Sequence, residues 1–285
     1  MANRREVLKK IDLTGDTVII TGSTGGLGFE LAEQYIKAGS NLILIAKDNK
    51  KLERQIDYLN GIKKNNQFIN QLVIDFSCED FELSLKDKLN NLPKIDALIN
   101  NAAVHGPIGQ FYENSLEEWE RAFRINFYAP MKIIHSLLPS MIENKKGKII
   151  NISGGGAAGC RPGYSSYSVA KTGLVKLTET LSHELIGSNI QINIVAPGMM
   201  PTQLLNEVIE SEISSKREIE MAKSTFTSND PYEDIKSLCL FLSSNLSNDI
   251  SGKFISAKWD QWEDLNKINE VVDNDNLYTL RRVTK

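Results

Sequence analysis

Short apolar runs alternate along the chain with longer segments in which apolar residues return every three or four positions. The runs fall at residues 17–20, 41–45, 71–74, 97–99, 148–152, 191–195 and 254–255. Continuous apolar runs of four to seven residues suit strands covered on both faces, and the 3.6-residue period suits helices laid against them. Their regular alternation predicts an α/β fold, a doubly wound parallel sheet of about seven strands with helices on both faces. No linker divides residues 1–265, which read as one unit. Residues 199–228 break the rhythm, being polar and charged around a few apolar anchors. An insertion after a strand's carboxyl end is where a substrate lid sits. The tail, 266–285, carries Asp273 and Asp275 ahead of Arg281 and Arg282; it reads as a surface arm or an oligomer contact.

The first run ends in Thr21-Gly22-Ser23-Thr24-Gly25-Gly26-Leu27-Gly28, and a helix-like segment follows at once. Strand, glycine-rich turn and helix in that order let a backbone come close to a pyrophosphate, with the amides of the helix N-terminus facing its charge. The spacing differs from the common G-x-G-x-x-G, and an ordinary glycine-rich turn is the bland alternative. Placement between strand and amphipathic helix favours dinucleotide binding, the Rossmann arrangement.

Composition narrows the partners. The chain has 285 residues, 33 basic and 36 acidic, for a net charge of -3. That leaves no broad positive surface for a phosphate backbone, so nucleic acid is not expected. Neither a signal peptide's apolar core nor a run of roughly 20 apolar residues is present, so no membrane partner is expected and the protein reads as cytoplasmic. Cys78, Cys160 and Cys239 are too few and too scattered for a disulfide framework and read as reduced thiols. His135 and His183 fall in helix-like runs; His105 either faces a pocket or sits on a surface loop, and no metal set is formed.

Further segments match one family in order. Asn100-Asn101-Ala102-Ala103 closes the fourth strand, Asn126 lies in Arg-Ile-Asn-Phe-Tyr, Tyr167-x-x-x-Lys171 opens a helix, and Pro197-Gly198 with Thr202 follow the sixth strand. With the glycine turn, these resemble the short-chain dehydrogenase/reductase family in its compact, single-domain branch, over nearly all of 17–252. The resemblance implies an NAD(P)-dependent oxidoreductase that moves hydride between a nicotinamide cofactor and a ketone, aldehyde or secondary alcohol. It also implies cofactor contacts from Thr21, Gly22, Ser23, Thr24, Gly26, Leu27, Gly28, Asn101, Ala102, Ala103, Tyr167, Lys171, Pro197, Gly198 and Thr202, with Asp75 and Phe76 flanking the adenine. Family members commonly assemble as dimers or tetramers, here through the helices around Asn126 and after Tyr167.

Tyr-x-x-x-Lys occurs three times, at 128/132, 167/171 and 232/236. Only the middle pair follows a strand and opens a helix, and a spacing of four puts both side chains on one face. Reducing a carbonyl requires a proton for the oxygen, and a phenol of ordinary pKa exchanges it poorly at neutral pH. An ammonium nearby lowers that pKa, so Tyr167 is the expected acid/base and Lys171 its tuner. Asn126 is implied to order a water relay, its alternative being a helix-bending polar residue. The family's carbonyl-orienting serine falls where this chain has Gly154; Ser153, one residue earlier, takes the role if the loop to Gly163 is one residue longer. At the second strand's end, Ala46-Lys47 lacks the carboxylate that holds a ribose and repels a 2′-phosphate, and supplies a cation. NADP(H) is favoured and NAD(H) left open, with Asp48 either a turn charge or a ribose contact. Trp259 and Trp262 wall the substrate pocket or pack a core or interface. Ser153, His105, Met199 and Trp259 are expected to line that pocket. A protein that binds cofactor without turnover, and an extended-branch epimerase or dehydratase, are the competing readings.

Overall fold

The computed structural model describes residues 4–89, 92–227, 230–264, 270–272, 274 and 276–282. The expected boundary at 265–266, the tail carboxylates Asp273 and Asp275, and Ser228 at the end of the expected lid lie outside the described residues.

Among the described residues, β1 (Thr17–Thr21), β2 (Asn41–Ala46), β3 (Ile69–Val73), β4 (Ala97–Asn100), β5 (Gly147–Ile152), β6 (Ile190–Ala196) and β7 (Phe254–Ser256) form one parallel sheet. Its order is β3-β2-β1-β4-β5-β6-β7, so the winding reverses between β1 and β4. Alternation along each strand sends side chains to two separate cores. Val18, Ile20, Leu42 and Leu44 pack on one face, with Leu31, Leu52 and Leu238. These come from α2 (Gly26–Lys37), α3 (Asn49–Asn60) and α10 (Glu233–Leu242). Ile19, Ile43 and Ile45 pack on the other, with Phe81 of α4 (Phe81–Leu89) and Ile133 of α6 (Ala129–Asn144). Helix α1 (Arg4–Leu8) adds Val7 to the first core. Burying whole apolar strands under helices on both faces is what the continuous runs predicted.

The expected strands match to within a residue at each end except β3, which begins at Ile69 instead of 71. It is an edge strand, and Asn70 and Gln71 are exposed, so no apolar pattern marks its start. The remaining helices are α5 (Leu116–Phe123), α7 (Ser165–Glu184), α8 (Gln203–Glu210) and α9 (Lys216–Thr225). Between α5 and α6 the chain widens into a π-helical turn, Arg124–Tyr128, in which the Ala129 amide returns five residues to Arg124. Pro130 has no amide hydrogen, so the Asn126 carbonyl is denied its α-helical partner.

The described part of the tail packs on its own chain. Phe254 donates its amide to the Tyr278 carbonyl at 2.6 Å, and Arg281 pairs with Glu179 of α7 at 2.6 Å.

Candidate active site

Packing dictates the glycine turn. Gly22 has φ +62°, and a Cβ there would lie 2.8 Å from Ala102 Cα; one on Gly28 would lie 2.2 Å from the Gly22 carbonyl. The turn is clamped to β4, since Thr21 Oγ1 accepts from the Asn101 and Ala102 amides at 3.0 Å each and Asn101 Nδ2 donates to the Thr21 and Gly22 carbonyls. Helix α2 is preceded at its capping position by Gly25, which has no side chain to cap it, and its first turn holds no acid. Uncapped first-turn amides carry partial positive charge, and here they face a cleft.

That cleft has a volume of about 840 Å³ and runs along the carboxyl ends of the strands at the β1/β4 reversal, where open α/β sheets bind ligands. It is lined by Gly22, Thr24, Gly26, Leu27 and Gly28 from the turn, Lys47, Asp75 and Phe76 beyond β2 and β3, and Asn101, Ala102 and Ala103 beyond β4. Tyr167, Lys171, Pro197, Gly198 and Thr202 line its other end with Ser153, His105, Met199 and Trp259. Two expected contacts stand back from it: Thr21 serves as the clamp, and Ser23 is fully buried behind the turn. Asn126 is also fully buried and outside the lining, its side chain spent on the Val104 carbonyl and amide and the Ala122 carbonyl. Size, a side-chain-free cradle and uncapped amides all fit a dinucleotide.

At the β2 end, Ala46 leaves room and Lys47 is exposed. Asp48 caps α3, accepting from the Lys51 amide at 3.0 Å. Its carboxylate is thereby committed away from a ribose. Burial pushes the Asp75 carboxyl up, but hydrogen bonds from Ser77 and the nearby Lys47 charge prevail and hold it below the usual value.

Tyr167 and Lys171, on the first turns of α7, are 5% and 1% exposed. Lys171 Nζ donates to the Ile152 carbonyl at 2.9 Å and lies 5.7 Å from the centre of the Tyr167 ring. Burial acts against the expected tuning. It pushes the Tyr167 hydroxyl up to about 12, with Arg161 the charge pulling against it, and pushes Lys171 down to about 7. Lys171 thus holds its proton less firmly than the ordinary ammonium assumed from sequence. The Gly154 position faces this site directly, since a Cβ there would lie 2.0 Å from the Tyr167 hydroxyl. Ser153 Oγ is buried with no hydrogen-bond partner among the described residues.

The other two Tyr-x-x-x-Lys pairs do different work. Tyr128 is exposed and Lys132 pairs with Glu82. Tyr232, half-buried, donates to the Pro201 carbonyl at 2.7 Å, and Lys236 bridges Glu30 and Asp230.

Helices α8 and α9 fill the expected lid segment and contribute Leu205, Val208 and Met221 to the cleft. Besides the Tyr232–Pro201 bond, side-chain pairs join this segment to the body: His105–Glu207 at 2.9 Å, Tyr164–Ser214 at 2.9 Å and Arg161–Glu218 at 3.0 Å. His105 thus faces the cleft, edge-on to the rings of both Tyr164 and Tyr167. The tryptophans divide: Trp262 packs on Phe241 in the core, while Trp259 is 75% exposed at the cleft. Sequence reasoning missed Arg161, although it is the one charged residue between Lys148 and Lys171. Among the described residues no His, Cys, Asp and Glu group forms a metal set, the described cysteines are free thiols, and no helix is long and apolar enough to cross a membrane.

Fold and cleft together define a dinucleotide-binding α/β protein. Residues 16–213 match the family model described as short chain dehydrogenase. The chain is 30% identical over 249 residues to the 3-oxoacyl-[acyl-carrier-protein] reductase FabG of Aquifex aeolicus (strain VF5), covering 86% of this chain and 97% of the relative. It is 25% identical over 253 residues to the uncharacterized oxidoreductase YvrD of Bacillus subtilis (strain 168), covering 85% and 94%. Its fold is similar to a solved Beutenbergia cavernae structure with bound NADP, at TM-score 0.75 and 20% identity, covering 86% of this chain and 96% of that one. The chain belongs to the short-chain dehydrogenase family, and is by that family an NAD(P)-dependent oxidoreductase.

Proposed function

We propose that this protein is an NADP-preferring oxidoreductase that interconverts a ketone or aldehyde and a secondary alcohol, with Tyr167 as general acid/base. One observation carries it: a buried tyrosine and lysine sit in one cleft with an uncapped helix N-terminus. The α2 amides and the glycine turn would hold the pyrophosphate, Asp75 and Phe76 the adenine, and Lys171 the nicotinamide ribose. A nicotinamide cofactor held by these residues would supply hydride to the carbonyl carbon, or accept it from the alcohol carbon. With its hydroxyl pushed up to about 12, Tyr167 stays a protonated phenol at neutral pH and gives that proton to the carbonyl oxygen. Ser153, whose hydroxyl has no partner among the described residues, would orient that oxygen. Asn126 fixes the loop after β4 with its side chain, and its carbonyl, lacking an α-helical donor, is suited to hold a relay water that returns the proton.

Ala46 and Lys47 support the NADP preference. Helices α8 and α9 would act as the substrate lid, and the enzyme would work as a cytoplasmic homodimer or homotetramer. Family membership favours turnover over a cofactor-binding protein without it, as does the retained tyrosine–lysine pair. Tyr167→Phe tests the assignment: carbonyl reduction should fall by roughly 10³-fold or more with NADPH affinity unchanged. Full activity in that variant would remove Tyr167 from the chemistry.

A further inference from the structure

Arg161 lines the substrate end of the cleft. A Cβ on Gly155 would lie 3.8 Å from Arg161 Nη1, while one on the adjacent Gly154 would lie 2.0 Å from the Tyr167 hydroxyl. Neighbouring positions of one loop therefore touch the guanidinium and the acid/base hydroxyl. The guanidinium is stacked over the Tyr164 ring, 3.6 Å from its centre, so its plane is fixed. Only Nε is engaged, by Glu218 Oε1 of α9 at 3.0 Å. Nη1 and Nη2 have no hydrogen-bond partner among the described residues, and such a free edge suits a planar carboxylate. The cleft thus already seats one carboxylate, the lid's own, against this cation. Lid docking does not depend on it alone, because His105–Glu207 and Tyr164–Ser214 join the same segment to the body.

We propose that Arg161 is the specificity-determining residue of the cleft. It receives a carboxylate carried by the substrate a few bonds from the reacting carbonyl, and Glu218 is its resident counter-ion until substrate arrives. The substrate class is therefore oxo acids and the corresponding hydroxy acids. This rests on the oxidoreductase reading above. The charge of Arg161 also bears on Tyr167, pulling its raised hydroxyl pKa back down, in keeping with their closeness.

The test is steady-state reduction of 3-oxobutanoate, 4-oxopentanoate and 5-oxohexanoate, each against its methyl ester, with NADPH and the wild type, Arg161→Met and Glu218→Gln proteins. For the best chain length the wild type should favour acid over ester by about 100-fold in kcat/KM. Arg161→Met should erase most of that preference through KM for the acid, and cost the ester, which carries no carboxylate for the guanidinium, far less. Glu218→Gln should lower KM for the acid several-fold and leave the ester alone, a gain that a misfolded protein does not give. Equal use of acid and ester, or equal loss of both in the two variants, would make Arg161 a lid strut and overturn the assignment, leaving the reductase standing. If neither is reduced although NADPH binds, the reductase reading falls and calorimetric binding of the same acids and esters to NADP-loaded protein decides. Acid-selective binding that Arg161→Met abolishes sustains the anchor, and binding without selectivity, or none, ends it.

Discussion

Gly154 shows how one missing side chain shapes the site. The resemblance puts a serine there, yet the Tyr167 hydroxyl already occupies the space a side chain would need, 2.0 Å from an added Cβ. Gly154→Ser should therefore displace the tyrosine instead of restoring a family contact, and lower turnover by about 100-fold. Ser153→Ala should cost about 10-fold to 100-fold with the tyrosine in place. Initial rates on one carbonyl substrate separate the two, and a Gly154→Ser protein faster than wild type would show that position 154 had simply lost its serine. That Tyr167 and Lys171 share the cleft was legible because only that pair follows a strand and opens a helix. Their protonation was not. Burial by the surrounding sheet and helices pushes the phenol up and the amine down, and burial belongs to the fold, not to a four-residue spacing. Arg161 escaped notice for the same reason, since its neighbours Tyr164 and Glu218 are brought to it by tertiary packing.

At the scale of elements, strand β5 joins two opposite tasks. Its carboxyl end leads to Ser153 and the cleft; near its start Lys148, only 5% exposed, donates to Ser247 Oγ at 3.2 Å and Asn248 Oδ1 at 2.8 Å. Burial pushes the Lys148 ammonium down to about 7 from an ordinary 10.5. Between those values the unfolded chain holds the proton that the folded chain has lost, so stability rises with pH across that window, by at most about 1.4 kcal/mol per pH unit for this group. Lys171 adds to the same trend. The urea midpoint should therefore increase from pH 7 to pH 9, and less steeply in Lys148→Met; an identical slope in the variant would contradict a lowered Lys148. Strand positions were legible from apolar runs wherever both faces are covered, and poorest at β3, whose edge position lets Asn70 and Gln71 face solvent. Asn126 was marked in the sequence as a relay or helix-bending residue, but the π-helical form of the turn was not legible, because the Val104 and Ala122 groups around its amide are brought there by the fold.

Across the whole molecule, the reversal of strand order between β1 and β4 opens the cleft, and α8 and α9 line part of it. The order of motifs along the chain was enough to place the parallel sheet and its reversal; the side-chain pairs that join residues 199–228 to the body were not legible, since each links residues far apart in sequence. Leu116 of α5, Tyr128 of the π-helical turn and Val169 of α7 remain large, apolar and exposed at 63%, 45% and 51%, on the elements expected to join subunits. Light scattering should give twice or four times the chain mass, and Val169→Asp should shift it toward the monomer; a monomeric wild type would refute the proposed assembly. Cofactor binding tests the central claim most directly. Titrating the protein with NADPH and with NADH, read by reduced-nicotinamide fluorescence, should show tighter binding of NADPH, and Lys47→Asp should weaken NADPH by about 10-fold or more while sparing NADH. Binding of neither dinucleotide would contradict the site at its foundation.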